Sequence, residues 1–132
     1  MNNFEDISKF LTKDYDLEII LDEKKSISLI VEEKISLQLE LDQSLQKLLI
    51  FCKIAEITAG KYREDVLTKS LKENFKYPYS LILGFLEKES ALCAYNYIYM
   101  DNLDEKKFIT FFSSFTERAL FIQDAIEKGN DF

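Results

Sequence analysis

The chain contains no histidine, and this absence removes several kinds of chemistry. Histidine is the commonest general base near neutral pH and the commonest nitrogen ligand of transition metals. The 132 residues also include no tryptophan, one proline and three glycines, and the glycines lie too far apart to form a phosphate-binding loop. We therefore predict that the protein is not an enzyme and that it holds neither a metal ion nor another cofactor.

The two cysteines, Cys52 and Cys93, are too far apart for a Cys-x-x-Cys motif and too few for a disulfide framework. Each lies in an apolar run typical of a strand, so we interpret both as small buried side chains in a reducing compartment. The N terminus lacks the basic and apolar regions of a secretory signal, and every apolar run is much shorter than the roughly 20 residues that span a membrane. We expect a cytoplasmic protein.

Acidic residues outnumber basic residues by 24 to 17, which gives a formal net charge of −7. Such a surface repels phosphate backbones and anionic lipids, so nucleic-acid and membrane partners are disfavoured. Tyr95, Tyr97 and Tyr99 alternate along one predicted strand, a pattern that can stack nucleobases. Because no arginine or lysine is interleaved with these tyrosines, we predict that they pack against neighbouring strands instead.

Hydrophobic periodicity predicts an α+β fold in a single domain over residues 1–132, with helices packed against an antiparallel sheet. The predicted order of elements is α-β-β-β-α-β-β-α, and residues 17–21 are a candidate for one additional short strand. Residues 48–57 are apolar at both parities, which predicts a central strand that is covered on both faces. We expect helix N-caps at Asn3 and Asn102, the latter in a capping box with Glu105. The predicted helices cover residues 4–13, 62–75 and 102–128, and the predicted strands cover 27–31, 35–42, 48–57, 81–87 and 91–99.

Some apolar residues exceed what one core needs. Ile30 stands at a polar parity, Ile20 interrupts an alternation, Ile50 lies on the second face of the central strand, and Phe10 lies off the apolar stripe of the first helix. One interpretation is that the second helix or another subunit covers these side chains. The other is that they form an apolar groove that binds a partner chain.

The order of elements and several short runs resemble a known family. The runs are Ile19-Ile20-Leu21-Asp22-Glu23, a hairpin through Ser28-Leu29-Ile30-Val31 and Ser36 to Leu41, Leu67 to Phe75, and a closing helix rich in phenylalanine. Together they resemble the class I type III secretion chaperones, the Tir-chaperone family, over nearly all of residues 3–128. The chain departs from the family pattern at Asp14 to Leu17 and at Lys76 to Tyr79.

The resemblance implies an intertwined homodimer in the bacterial cytoplasm. Such chaperones hold the N-terminal region of a secreted effector protein in extended, unfolded form, and the resemblance extends to the secretion ATPase as a further partner. It also implies a dimer interface formed by the second helix and the strand after it. If Leu67, Leu71 and Phe75 enter the monomer core, the predicted interface residues are Tyr62, Val66, Ser70, Leu81 and Leu83.

Three alternatives remain open from the sequence. The chain could be a dimeric α+β adaptor or assembly protein unrelated to secretion, which would share the dimer but lack the groove. It could be one subunit of a heterodimeric secretion chaperone, which needs a different second chain. It could also be a small-molecule-binding domain, which needs an enclosed pocket with converging polar groups.

Overall fold

A computed structural model describes residues 4–15, 19–21, 26–42, 44, 46–76 and 80–132, with the backbone alone for 4–5, 12–15 and 19–21. Within these ranges, no helix is both long and apolar enough to cross a membrane. The elements are α1 (Phe4–Tyr15), β1 (Ile19–Leu21), β2 (Ser26–Val31), β3 (Ile35–Asp42), β4 (Lys47–Glu56), α2 (Lys61–Glu73), β5 (Ile82–Leu86), a short 3-10 turn (Glu87–Glu89), β6 (Ala91–Tyr99) and α3 (Glu105–Glu127). The predicted order of elements is confirmed, including the additional short strand. The strands form one antiparallel sheet in the order β1-β2-β3-β4-β6-β5.

The core lies between one face of this sheet and the helices α1 and α3. Phe108, Phe112 and Phe115 of α3 follow helical spacing and are fully buried. They belong to the same cluster as the alternate residues of β3 and β4 that point to this side of the sheet. We call this side the inner sheet face. Its buried side chains on β3 and β4 are Ile35, Leu37, Leu39, Leu48, Ile50, Cys52 and Ile54.

The start of α3 differs from the prediction. Asp104, and not Asn102, is the N-cap, because its side chain accepts a hydrogen bond of 2.8 Å from the main-chain N–H of Lys107. Asn102 instead adopts a left-handed conformation, with φ of 58°, in the turn before the helix. The helix begins at Asp104 because its carboxylate reaches a free main-chain N–H of the first turn. The predicted N-cap at Asn3 lies outside the described residues.

In the part of the chain that the structure describes, the central strand β4 is fully covered on one face only, so the prediction of two covered faces is wrong. Leu48, Ile50 and Cys52 are buried, whereas Leu49 and Phe51 are only half-buried. Both helices that contribute to the core around β4 lie on the same side of the sheet. An apolar run at both parities therefore also occurs in a strand whose second face is open and apolar.

The side chain of Gln123 fixes α3 to the sheet at two places. Its Nε2 donates to the carbonyl oxygens of Lys34 and Ile54, each at 3.0 Å. Ile54 lies where the pairing of β4 with β6 shifts register between Lys53 and Ala55. A bulge of this kind disrupts the ladder locally, and an amide from α3 satisfies a carbonyl group at that position.

The turn between β2 and β3 places two glutamates in the left-handed region. Glu32 and Glu33 have φ of 54° and 57°, and the N–H of Lys34 donates to the carbonyl of Val31 at 3.0 Å. Two central residues with positive φ are typical of a type I′ hairpin turn, which favours Asn-Gly. Glutamate has no short polar side chain to compensate, so this turn is strained.

We predict that replacing both residues, Glu32→Asn with Glu33→Gly, stabilises the chain by about 1 kcal/mol. The gain is relief of the left-handed strain, reduced by the larger conformational entropy of glycine in the unfolded chain. Urea unfolding measures the change. The control, Glu32→Gln with Glu33→Gln, removes both charges and keeps the strain, so equal stability of the two double variants would show that charge and not backbone strain matters.

Candidate functional site

The second face of the sheet, which we call the outer sheet face, is left open by the helices. Side chains alternate across a strand, so the partners of the buried residues point to this side. Those on β2 and β3 are mostly exposed, and those on β4 are half-buried. The outer sheet face includes Ser26, Ser28, Ile30, Ser36, Gln38, Glu40, Lys47, Leu49, Phe51, Lys53, Ile82, Tyr95, Tyr97 and Tyr99.

Strand register brings its apolar members together. Phe51 lies between Gln38 of β3 and Tyr95 of β6, and Leu49 pairs with Tyr97 in the next row. This is the cross-strand packing predicted for the tyrosines, yet Tyr95, Tyr97 and Tyr99 all remain exposed on their outward side. The outer sheet face is therefore an aromatic and aliphatic surface in contact with solvent.

Two depressions lie side by side on this face. One, of 400 Å³, is lined by residues that include Ser28, Ile30 and Lys53, and the other, of 260 Å³, by residues that include Glu40, Leu49 and Tyr95. Gln38 and Phe51 line both depressions. A single bound segment can therefore place side chains in the two depressions across this shared wall.

Several polar groups of the outer sheet face bind each other. Gln38 donates to Glu40 at 2.8 Å and to Ser26 at 3.1 Å. The Nζ of Lys53 lies 2.9 Å from Glu56 and 3.6 Å from Glu89, and the hydrogen bond to Glu56 raises the pKa of Lys53. These internal pairs leave the apolar side chains as the main contribution that this surface can make to a partner.

The basic end of this surface lies beside the tyrosines. The Nζ of Lys47 lies 4.3 Å from the ring centre of Tyr97 and 5.4 Å from that of Tyr99, and the two rings meet edge to face at 5.8 Å. Cation–π contacts at exposed sites contribute only about 0.5–1 kcal/mol. They nevertheless orient the rings, so this end of the surface is more ordered than isolated exposed tyrosines would be.

The predicted partner-binding residues separate into three groups. Ile30 lies on the outer sheet face and is 57% exposed, as its polar parity predicts. The assignment of Phe10 and Ile50 to a surface groove is wrong, because both are buried: Phe10 packs edge to face on Phe108 at 5.8 Å, and Ile50 is on the inner sheet face. The backbone of Ile20 pairs opposite Ser28, and its side chain lies outside the described part of the structure.

Leu49, Phe51 and Tyr95 also lie on the outer sheet face, and they were not among the partner-binding residues predicted from the sequence. Two signals for them were present: apolar residues at both parities of β4, and the alternating tyrosines of β6. The predicted cross-strand packing does not bury these side chains fully, because no described helix residue belongs to the outer sheet face.

A second apolar surface lies on α2 and corrects the predicted dimer interface. Val66 and Ser70 are buried within the single chain, while Leu71 is 65% and Phe75 is 88% exposed, the reverse of the predicted orientation. The Oγ of Ser70 donates to the carbonyl of Val66 at 2.8 Å, which satisfies its hydroxyl inside the core.

The other predicted interface residues are also used within one chain. Leu81 and Leu83 are buried beneath α2 and α3, so they too are not free for a partner as predicted. Tyr62 is half-buried, and its hydroxyl donates to the carbonyl of Asn130 at 3.1 Å. We call the half-buried Leu67 and the exposed Leu71 and Phe75 the α2 stripe.

The orientation of α2 follows from polar groups on its inward side. The carboxylate of Glu73 lies 3.6 Å from Arg118 of α3 and 2.8 Å from Lys76. Hydrogen bonding from Lys76, supported by Lys69, holds the pKa of Glu73 below its ordinary value. Turning the α2 stripe inward would separate Glu73 from Arg118.

Neither cysteine is poised for nucleophilic chemistry. Burial, together with the nearby thiol of Cys93, raises the pKa of Cys52 to about 12, and burial also raises the pKa of Cys93. A thiol reacts as its thiolate, so a raised pKa makes it inert. Among the residues that the structure describes, no three histidine, cysteine, aspartate or glutamate side chains converge as a metal ion requires.

Comparisons with known proteins agree with this architecture. The model of the Tir chaperone protein (CesT) family matches residues 8–123. The HopA1-SchA chaperone–effector complex contains a chain with a TM-score of 0.70 and 17% identity, covering 94% of this chain and 96% of that one. The Yersinia pestis type III secretion chaperone SycH, solved with a stable fragment of YscM2, gives 0.68 and 14%, covering 90% and 98%.

A chain of the ExsC-ExsE complex gives a TM-score of 0.66 and 19% identity, covering 94% of this chain and 96% of that one. At such low identities these solved structures show the fold alone. No curated protein matches the sequence.

We predict that the native thiols are nearly inert to a thiol-specific reagent at pH 8. With a pKa of about 12, only about one Cys52 in ten thousand is ionised at that pH. Both thiols should react once the chain is unfolded in urea. The control is Ile30→Cys, which adds an exposed thiol that should react at once. Native labelling of Cys52 at the rate of this added thiol would contradict the prediction.

Proposed function

Because the chain belongs to the Tir chaperone protein (CesT) family, we propose that it is a type III secretion chaperone that binds the N-terminal segment of an effector. In this proposal the segment is held in extended, unfolded form and stays competent for secretion, and the chaperone performs no catalysis. The chaperone acts in the bacterial cytoplasm, before the effector is exported. Support comes from a similar fold in a solved chaperone–effector complex.

The observation that carries the proposal is the outer sheet face. Ile30 and Tyr95 are exposed at the outer sides of two depressions that share Gln38 and Phe51. Apolar area of this kind on a monomer marks an interaction surface. Burying one such side chain contributes about 1.5–3 kcal/mol, from which the cost of ordering an unfolded segment is subtracted. Several anchors are therefore needed, and the depressions supply them.

The net charge of the chain limits the kinds of effector segment that the outer sheet face can bind. The chain carries a net charge of −7, so a strongly acidic segment is repelled. The surface itself combines Glu40 with Lys47 and Lys53, and Lys53 is engaged by Glu56 and Glu89. We infer a neutral or basic segment whose apolar side chains provide most of the affinity. An excess of negative charge on the chaperone also keeps such a complex soluble.

We further propose that the chain forms a homodimer through the α2 stripe. Leu71 on α2 and Phe75, two residues after its end, are large and exposed, while α2 contacts β5 and pairs with Arg118 of α3 elsewhere. Two copies of the same stripe can meet across a two-fold axis, which buries each stripe against the other. A heterodimer with a different second chain is the alternative that solution measurements distinguish.

One prediction from this proposal concerns the effector partner. The tagged chain is purified from a bacterium that carries a type III apparatus, the bound protein is identified by mass spectrometry, and its N-terminal segment is made as a peptide. Ile30→Ser with Tyr95→Ser should weaken binding of that peptide roughly 100-fold, because the two side chains together contribute about 3 kcal/mol. Calorimetry measures the affinity.

The matched control is Ile109→Ser with Phe121→Ser, which removes an equally exposed pair from α3. This pair should leave the affinity unchanged. Equal loss in both double variants, or no loss in either, would move the binding surface away from the outer sheet face. Recovery of no secreted partner at all would contradict the proposed function itself.

Another prediction from this proposal concerns the homodimer. Leu71→Asp with Phe75→Asp should give a folded monomer, because a dimer interface cannot hydrate two buried carboxylates. Val66→Asp should instead unfold the chain, since Val66 lies in the core of one chain. Sedimentation equilibrium and circular dichroism separate the two outcomes. A parent protein that is monomeric at micromolar concentration, or a stripe variant that remains dimeric, would contradict this interface.

A further inference from the structure

The side chain of Asn74 binds both main-chain groups of one residue in the edge strand β5. Its Nδ2 donates to the carbonyl of Leu83 at 2.8 Å, and its Oδ1 accepts from the N–H of Leu83 at 2.9 Å. Asn74 is the C-cap of α2, and its own N–H donates to the carbonyl of Ser70 at 3.0 Å. The helix therefore holds the backbone of Asn74 in place while its amide binds the strand.

These bonds lie at the free edge of the sheet, along β5. β5 pairs with β6 on one side, with Leu83 opposite Ala94, and it is the last strand of the sheet on the other. Main-chain groups of alternate residues in an antiparallel strand point to opposite sides. Because the N–H and carbonyl of Leu83 bind Asn74, they point away from β6. The Asn74 amide thus takes the place that a peptide group of a neighbouring strand would take.

The sequence of the strand itself offers little other protection. Residues 82–86 read Ile-Leu-Gly-Phe-Leu and include no charged residue and no proline, the residue types that usually blunt an edge. Such a short apolar segment is a template for pairing with another strand. On the helix side, Arg63 of α2 covers the ring of Phe85, with 4.4 Å from its guanidinium carbon to the ring centre. Of these two polar contacts between the α2 region and β5, the Asn74 bonds are the ones that engage the main chain of the strand.

We propose that Asn74 closes the β5 edge to the β5 strand of a second copy of this chain. The occupant is a second copy because two identical antiparallel edges are self-complementary across a two-fold axis. With the edge closed, association along this side of the molecule uses the side chains of the α2 stripe and not a continuous sheet. The proposal needs no effector segment, so it is tested on the purified chain alone.

The test compares Asn74→Ala with the parent and with Lys72→Ala, which changes an exposed residue of the same helix. In Asn74→Ala the Leu83 amide should exchange with solvent about tenfold faster in dilute solution, as expected for loss of one hydrogen bond. At higher concentration, sedimentation velocity should show a new species of twice the parent's mass. Lys72→Ala should match the parent in both measurements.

Two further variants identify the edge as the cause. Adding Ile82→Lys to Asn74→Ala places a charge on the strand and should restore the parent's mass, since a lysine there opposes strand pairing. Should Asn74→Ala fail to fold, Asn74→Ser gives the same test, because a hydroxyl cannot bridge both groups of Leu83. An unchanged Leu83 exchange rate, an unchanged mass, or association that persists with Ile82→Lys would each overturn the proposal.

Discussion

Packing of α3 against one face of the sheet is the constraint on which the other features depend. A helix of 23 residues is about 35 Å long, enough to cross several strands, and its stripe of phenylalanines fills the inner sheet face. α1 joins that same core through Ile7, Phe10 and Leu11. Because described helix residues cover only this side, the apolar residues of β4 divide between a core and an open surface. The outer sheet face is thus a consequence of where the described helices pack.

Helix α2 turns polar side chains towards the rest of the chain and leaves large apolar side chains exposed. Glu73 pairs with Arg118 of α3 and Asn74 binds β5, while the buried Ser70 hydroxyl donates to the carbonyl of Val66 in its own helix. The large apolar side chains Leu71 and Phe75 are left outside. In a monomer this arrangement would expose apolar side chains to water with no compensating contact. A second copy that covers the stripe would remove this exposure, and this is the reason for proposing the dimer.

The two apolar surfaces suit a chaperone better than an enzyme. A binding surface made of half-buried aromatic and aliphatic side chains can accept different side chains of an extended segment, because apolar contact has little directional demand. The polar groups nearby mostly bind each other, which limits what a particular sequence must supply. The net charge of −7 keeps apolar area in solution until a partner covers it.

Local patterns in the sequence determined the order of the elements, the position of β1 and the outward parity of Ile30. These properties depend on neighbouring residues and on residue types, which periodicity and composition report directly. Periodicity groups residues into faces, but it does not say what covers each face. Only the tertiary structure decided that Phe10 and Ile50 are buried, that α2 turns Val66 inward and Phe75 outward, and that Asn74 binds the edge of β5. Each of these depends on contacts between elements far apart in the chain, where the burial of apolar area competes with the satisfaction of polar groups.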